Sequence, residues 1–231
     1  MYVYAGVETL LVEAADFMLI NISVANDACA YDSHKAAQSE TVQLLADRTL
    51  MSNVRLYGAQ DTLFTGAEAN RAYIVNSYIN GSCDSIFGMS SLVLDKCEIA
   101  IIDHITAARS GPASLYLIAN SRLVKPVKGQ KNYPAAKGRT ELGRAWGSDA
   151  HVVFKDCWMD SHIATYGWGS SMGGCPATKE TCPNVTYAEY KSTGPGADAK
   201  ARAKWSHQLT AAQAAAVTTD SVLRGWDPLL A

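Results

Sequence analysis

The sequence predicts an all-β chain wound as a right-handed parallel β-helix, and three observations carry that expectation. Six segments share one pattern: two apolar residues, a spacer, a polar residue, two spacers and a further apolar residue. Their polar positions, at residues 21, 53, 76, 96, 120 and 156, recur at 20 to 36 residues, the period of a solenoid whose longer coils carry loop insertions. Each segment is too short for a helix and rich in β-branched or aromatic residues, so each reads as a strand.

In chain order the segments are Met18 to Val24, Leu50 to Leu56, Tyr73 to Ile79, Val93 to Ile99, Leu117 to Leu123 and Val153 to Met159. The polar position is Asn or Asp in five of the six, Lys96 being the exception. Asn and Asp there predict a turn, because their side chains bond nearby backbone and tolerate a left-handed conformation. Stacked coil on coil, the apolar positions form one continuous core. An ordinary β-sandwich with chance similarity between strands is the alternative. Thr9 to Ala14 already reads as a strand, so N-terminal coils are expected to be missing. The first coil, near Val12 and Phe17, then presents an open edge and a route to self-association. At the other end Thr210 and Gln213 form a capping box that opens an Ala-rich helix over about 208–218, expected to cap the solenoid. The whole of 1–231 reads as a single domain.

Composition narrows the class. With 20 Lys and Arg against 22 Asp and Glu, the net charge of −2 gives no electrostatic ground for nucleic-acid binding. At 48% hydrophobic and 18% charged residues the chain can bury a sizeable core. No apolar run is long enough to span a membrane, and no basic-then-apolar leader is visible at the N-terminus. The six cysteines show no pattern of metal-binding pairs; Cys175 and Cys182 could close a small disulfide, whereas Cys97 and Cys157 read as buried thiols. Of the N-x-S/T sequons at Asn21, Asn80 and Asn184, only Asn184 lies in loop context, a weak pointer to secretion.

Chemistry concentrates in Gly58 to Phe64 and Gly81 to Gly88. Asp61 and Asp84 lie 23 residues apart, one local coil period, so a solenoid stacks them on one face. Two carboxyls brought together let one stay ionised while the pKa of the other rises. Gln38 and Gln60, 22 residues apart, would stack beside them as amide donors. Nucleophile, acid/base and oxyanion donors are the kit of acyl chemistry. Taken singly, each residue has a structural reading too: turn aspartates, a surface ion-pair arginine, half-buried tryptophans. Gly169-Ser170-Ser171-Met172-Gly173 satisfies the G-x-S-x-G nucleophile elbow, but Gly174-Cys175-Pro176 cannot open the helix that elbow requires, so the match reads as chance.

At these residues the sequence resembles the pectin methylesterase family. Gln60-Asp61-Thr62-Leu63 matches its Q-D-T-L motif, and Asp84-Ser85-Ile86-Phe87-Gly88 its D-F-I-F-G with Ser for the first Phe. Leu142-Gly143-Arg144-Ala145-Trp146 is similar to L-G-R-P-W, Ile105 to Arg109 to a shortened V-T-A-Q-G-R, and Tyr187 to Ala197 to Y-x-E-Y followed by G-P-G-A. The family's G-x-Y-x-E segment before Thr9 is absent, Met89-Ser90-Ser91 replaces N-A-A, and Ala72 replaces Gln.

The resemblance implies a secreted hydrolase, independent of metal or cofactor, acting on methyl-esterified homogalacturonan (pectin). It implies Asp84 as nucleophile, Asp61 as general acid and base, Gln38 and Gln60 as oxyanion donors and Arg144 as the cation orienting Asp84. Trp146, Trp168, Phe64 and Phe87 are expected to bind substrate. A catalytically silent polyuronide-binding or structural β-helix, and an esterase for another acyl group, are the competing readings.

Overall fold

The computed structural model describes residues 8–27, 38–109, 111–127, 137–169 and 184–229. Three parallel sheets run the length of the chain, each receiving one short strand per coil, as a parallel β-helix requires. Sheet A takes Leu10–Val12, Val42–Leu44, Leu63–Thr65, Ile86–Gly88, His104–Ala108 and Glu141–Gly143. Sheet B takes Met18–Ile20, Thr49–Ser52, Arg71–Val75, Ser91–Asp95, Tyr116–Ala119 and His151–Lys155, then Thr186–Tyr190 and His207–Gln208. Sheet C takes Ser23–Ala25, Arg55–Tyr57, Tyr78–Gly81, Glu98–Ile101, Arg122–Leu123 and Trp158–Met159. No helix among the described residues is long and apolar enough to cross a membrane.

The repeated pattern maps onto a corner rather than onto one strand. Its first two apolar positions lie in a sheet B strand, and its last lies in the following sheet C strand. The polar residue between them turns the chain with positive φ in every coil: Asn21, Asn53, Asn76, Lys96, Asn120 and Asp156 lie between 49° and 58°. Asn and Asp accept this left-handed conformation at least cost among residues with a side chain. Lys96 and, one coil after Asp156, Lys191 adopt it as well, without the compositional cue. Side chains bond along the stacked corners, as Asn53 Nδ2 to Asn21 Oδ1 at 2.7 Å.

Two ladders fill the interior. Leu19, Met51, Ile74, Leu94, Ile118 and Phe154 stack through sheet B. Val24, Leu56, Ile79, Ile99, Leu123 and Met159 stack through sheet C. Each fully buried aliphatic rung contributes about 1.5–3 kcal/mol. Cys97 and Cys157 sit in this core as free thiols, as expected. Val12 is buried and Phe17 packs partly against the core, while Leu11, Met18, Ile20 and Ile22 of the first described coil are exposed.

The C-terminal helix forms over Ala211–Ala216 with its Thr210/Gln213 capping box, but it does not plug the solenoid. A second short helix, Thr219–Leu223, lays Val222 and Leu223 on the outer face of sheet B, over a strip that includes Tyr73, Val93 and Leu117. The last buried rung of the sheet B ladder is instead Glu189, opposite Phe154 and buried with Arg202, with exposed Gln208 beyond it. Arg202 grips both Glu189 oxygens, at 2.7 and 3.1 Å, and donates to the carbonyls of Ala164, Thr165 and Gly196. A charged pair needs such complete satisfaction in a core. Of the sequons, Asn80 is buried and donates to the Ala100 carbonyl, whereas Asn21 and Asn184 are exposed. The Cys175/Cys182 pair and the serine of the G-x-S-x-G match lie outside the described residues.

Candidate active site

Alternation along sheet A separates core from groove. Val42, Leu63 and Ile86 stack in register and face the core. Their neighbours Gln43, Phe64, Phe87 and Ala107 stack on the other face. Phe64, Phe87 and Ala107 form a separate apolar cluster joined by Leu45 and Trp146. The rings of Phe64 and Phe87 lie 4.9 Å apart, and those of Phe87 and Trp146 5.9 Å apart, so an aromatic strip floors this face.

Two residues before each inward rung, in the turn from sheet C to sheet A, stands a carboxyl. Counting back along the register from Val42, Leu63 and Ile86 gives Glu40, Asp61 and Asp84 on successive coils. The Asp61 N–H donates to the Cys83 carbonyl at 3.0 Å, holding the two aspartate turns together. Asp61 (φ 66°) and Asp84 (φ 49°) are both left-handed. They are therefore turn aspartates as well as site candidates, and both are almost fully buried.

Arg144 reaches the site from the end of the Glu141–Gly143 strand, anchored by its N–H to the Thr106 carbonyl at 3.0 Å. Its guanidinium grips Asp84 with both arms, Nε to Oδ1 at 2.8 Å and Nη2 to Oδ2 at 2.5 Å. Among the described residues Asp61 has no such partner. Burial, then the charges of Asp84 and Glu40, push its carboxyl up to about 8, against a smaller opposing pull from Arg144. The pair thus offers an ion-paired carboxylate beside a carboxylic acid that keeps its proton at neutral pH.

Gln60 is half-buried next to Asp61. Gln38 is exposed and does not stack on it. The Val42–Leu63 register spaces these coils by 21 residues, one fewer than the separation of the two glutamines, so Ser39 lies opposite Gln60. Trp146 is half-buried in the groove with Arg109 over its ring at 5.3 Å. Trp168 is not in the groove. It is 2% exposed, stacked on Tyr187 at 4.3 Å, and its indole Nε1 points to Glu189 at 3.4 Å. The buried Glu189 acceptor and the Phe154 and Tyr187 rings hold it in the core. Trp168→Ala is therefore expected to cost about 3–5 kcal/mol of stability, read by thermal melting. Trp146→Ala should leave the melt near that of the parent and weaken polymer binding by roughly 1 kcal/mol.

Beside the Asp84/Arg144 pair, His104 bridges Asp103 at 3.2 Å and Glu141 at 2.9 Å, with the Cys83 sulfur at 3.6 Å. Burial opposes its charge, but bonds to Asp103, Cys83 and Glu141 push the imidazole up to about 11. Cys83, Asp103 and His104 are the group among the described residues whose ligand atoms lie close enough together for a metal. In this arrangement both ring nitrogens of His104 lie within ion-pair distance of carboxylates, Nδ1 of Asp103 and Nε2 of Glu141.

Comparison with known proteins decides the family. Residues 4–226 match the Pectinesterase family. The chain belongs to the pectinesterase family. It is 31% identical over 209 residues to Pectinesterase 31 of Arabidopsis thaliana, covering 88% of this chain and 60% of that protein. To the pectinesterase of Ralstonia solanacearum it is 31% identical over 221 residues, covering 81% and 54%. A crystal structure of pectin methylesterase in complex with a hexasaccharide superposes with a TM-score of 0.80 at 26% identity, covering 97% of this chain and 74% of that one. The pectin methylesterase from carrot gives 0.81 at 25% identity, covering 95% and 69%. The chain thus spans 60% or less of the length of these two curated pectinesterases.

Glu40, Arg109 and His104 were not singled out from sequence as site residues. For Glu40 a signal existed: Glu40-Thr41-Val42, Asp61-Thr62-Leu63 and Asp84-Ser85-Ile86 repeat one acidic–hydroxyl–aliphatic triplet at successive coils.

Proposed function

We propose that this chain, a single β-helix domain of a secreted enzyme, hydrolyses methyl esters of homogalacturonan to free carboxylate and methanol. The observation that carries this reading is the bidentate Arg144–Asp84 pair one coil from an Asp61 that holds its proton up to about pH 8. Asp84, oriented by Arg144, attacks the ester carbonyl carbon, and the developing oxyanion is met by the Gln60 amide. The tetrahedral intermediate collapses as Asp61 gives its proton to the departing methanol, leaving an acyl group on Asp84. Asp61, now a carboxylate, takes a proton from water as that water attacks the acyl carbon. The new uronate leaves and both aspartates return to their starting states.

Phe64, Phe87 and Trp146 would carry sugar rings on their apolar faces, and exposed Arg109 would meet the anionic groups of a polyuronide. The experiment is pH-stat titration of pectins of graded methyl esterification. Acid release that scales with methyl-ester content supports the reading, and acid release from acetyl esters in its place would move it to another acyl substrate. Arg144→Lys keeps the charge but loses the fork, so kcat should fall by ~10–100-fold, the worth of a charge-assisted bond of about 1.5–3 kcal/mol. Exposed Leu11, Met18, Ile20 and Ile22 on the first described coil favour association of two copies through that edge. Light scattering that returns only monomer at high concentration would reject that last point.

A further inference from the structure

The third rung of the carboxyl ladder is unused by the reaction as described. Glu40 stands one coil before Asp61, about 4.8 Å along the stacking direction, at the same position in its turn as the two aspartates in theirs. It is 1% exposed, and its Oε2 is buried with no hydrogen-bond partner among the described residues. Its backbone is pinned: the Glu40 carbonyl accepts from Asn26 Nδ2 at 2.7 Å and from the Thr9 N–H at 3.1 Å. The Gln43 side chain, on the groove face, hydrogen-bonds its carboxyl. The charge that bears on it is a carboxylate, Glu8 from the preceding coil. An ionised oxygen buried without a donor carries a heavy desolvation cost, whereas a carboxylic acid in the same place has an O–H free to donate.

We propose that Glu40 is a further catalytic residue of this site, whose carboxyl O–H donates a hydrogen bond to the ester carbonyl oxygen as charge develops there. This deepens the esterase reading and rests on it. Among the described residues Gln60 is the amide left for that oxygen, because Gln43 bonds the Glu40 carboxyl and Arg144 is committed to Asp84. Burial first, with the Glu8 charge adding to it, raises the Glu40 pKa, in the direction that favours the acid form. A carboxylic acid kept neutral by an apolar site is an established kind of oxyanion donor.

The test uses the wild-type chain, Glu40→Gln and Glu40→Leu. Infrared difference spectra at neutral pH should contain a protonated-carboxyl stretch in wild type that is missing from Glu40→Gln. Glu40→Gln keeps a donor, so kcat on methyl-esterified pectin should stay within about tenfold of wild type. Its alkaline limb should follow the loss of one proton, that of Asp61, where wild type follows the loss of two. Glu40→Leu has no donor and should lose ~10²–10³-fold in kcat with little change in KM. Circular dichroism melts establish that both variants are folded. If no protonated-carboxyl band is lost, or if Glu40→Leu turns over like wild type, the role is wrong while the esterase reading stands. If wild type releases no methanol from pectin, the esterase reading fails and this role falls with it. Should Glu40→Leu not fold, the band and the alkaline slope of Glu40→Gln decide alone.

Discussion

Asp84→Asn should abolish methanol release, by ~10⁴-fold or more, the scale seen when a nucleophile is removed from a covalent mechanism. The amide cannot attack an ester carbonyl or carry the acyl group. The turn itself tolerates the change, since Asn adopts the left-handed conformation as readily as Asp, and Asp84 holds φ 49°. What is lost structurally is the ion pair: Arg144 keeps a guanidinium at a half-buried position with an amide in place of a carboxylate. A stability loss of about 1–3 kcal/mol follows from leaving a charged donor poorly matched. Activity and melting temperature measured on the same preparation separate the two effects. Retention of more than a few per cent of methanol release in a folded Asp84→Asn protein would remove Asp84 from the mechanism.

Asp61→Asn should cost ~10²–10⁴-fold in kcat, the worth of a positioned proton donor and acceptor, and should make the protein more stable above mildly acidic pH. The folded state holds the Asp61 proton up to about 8, whereas the ordinary aspartate value is 3.8. Across that window the folded chain binds a proton that the unfolded chain has released, so stability falls as pH rises. The stability is full below the unfolded value and lost on approach to the folded one. Asn does not titrate, so melting curves of variant and parent should coincide near pH 4 and diverge towards pH 8, by an amount on the order of a few kcal/mol. Parallel melting curves across that range would show that Asp61 is ionised in the folded protein and cannot serve as the acid.

Much of this was legible in the sequence because the solenoid repeats at short range. The Asn and Asp corners, the two apolar ladders and the 23-residue spacing of Asp61 and Asp84 are all readable within one coil of their neighbours. The rest depends on facts that residue type does not encode. Gln38 missed the site because one coil is 21 residues deep in register, and a slip of one residue changes the face a side chain occupies. Trp168 is as aromatic as Trp146, but a buried carboxylate 21 residues later, Glu189, gives its indole N–H an interior partner. The Ala-rich helix was found with its cap, yet its docking on sheet B depends on Val222 and Leu223 in the next helix. Lys96 and Lys191 turn corners that composition assigns to Asn, because stacking on neighbouring coils outweighs local preference.

The decisive measurement is methanol quantified from methyl-esterified homogalacturonan incubated with the purified chain, set against new carboxylate in the same reaction. An aspartate esterase gives one methanol for each carboxylate in the wild-type protein and neither product with Asp84→Asn. Carboxylate without methanol, or a folded wild-type protein that releases neither, would contradict this mechanism.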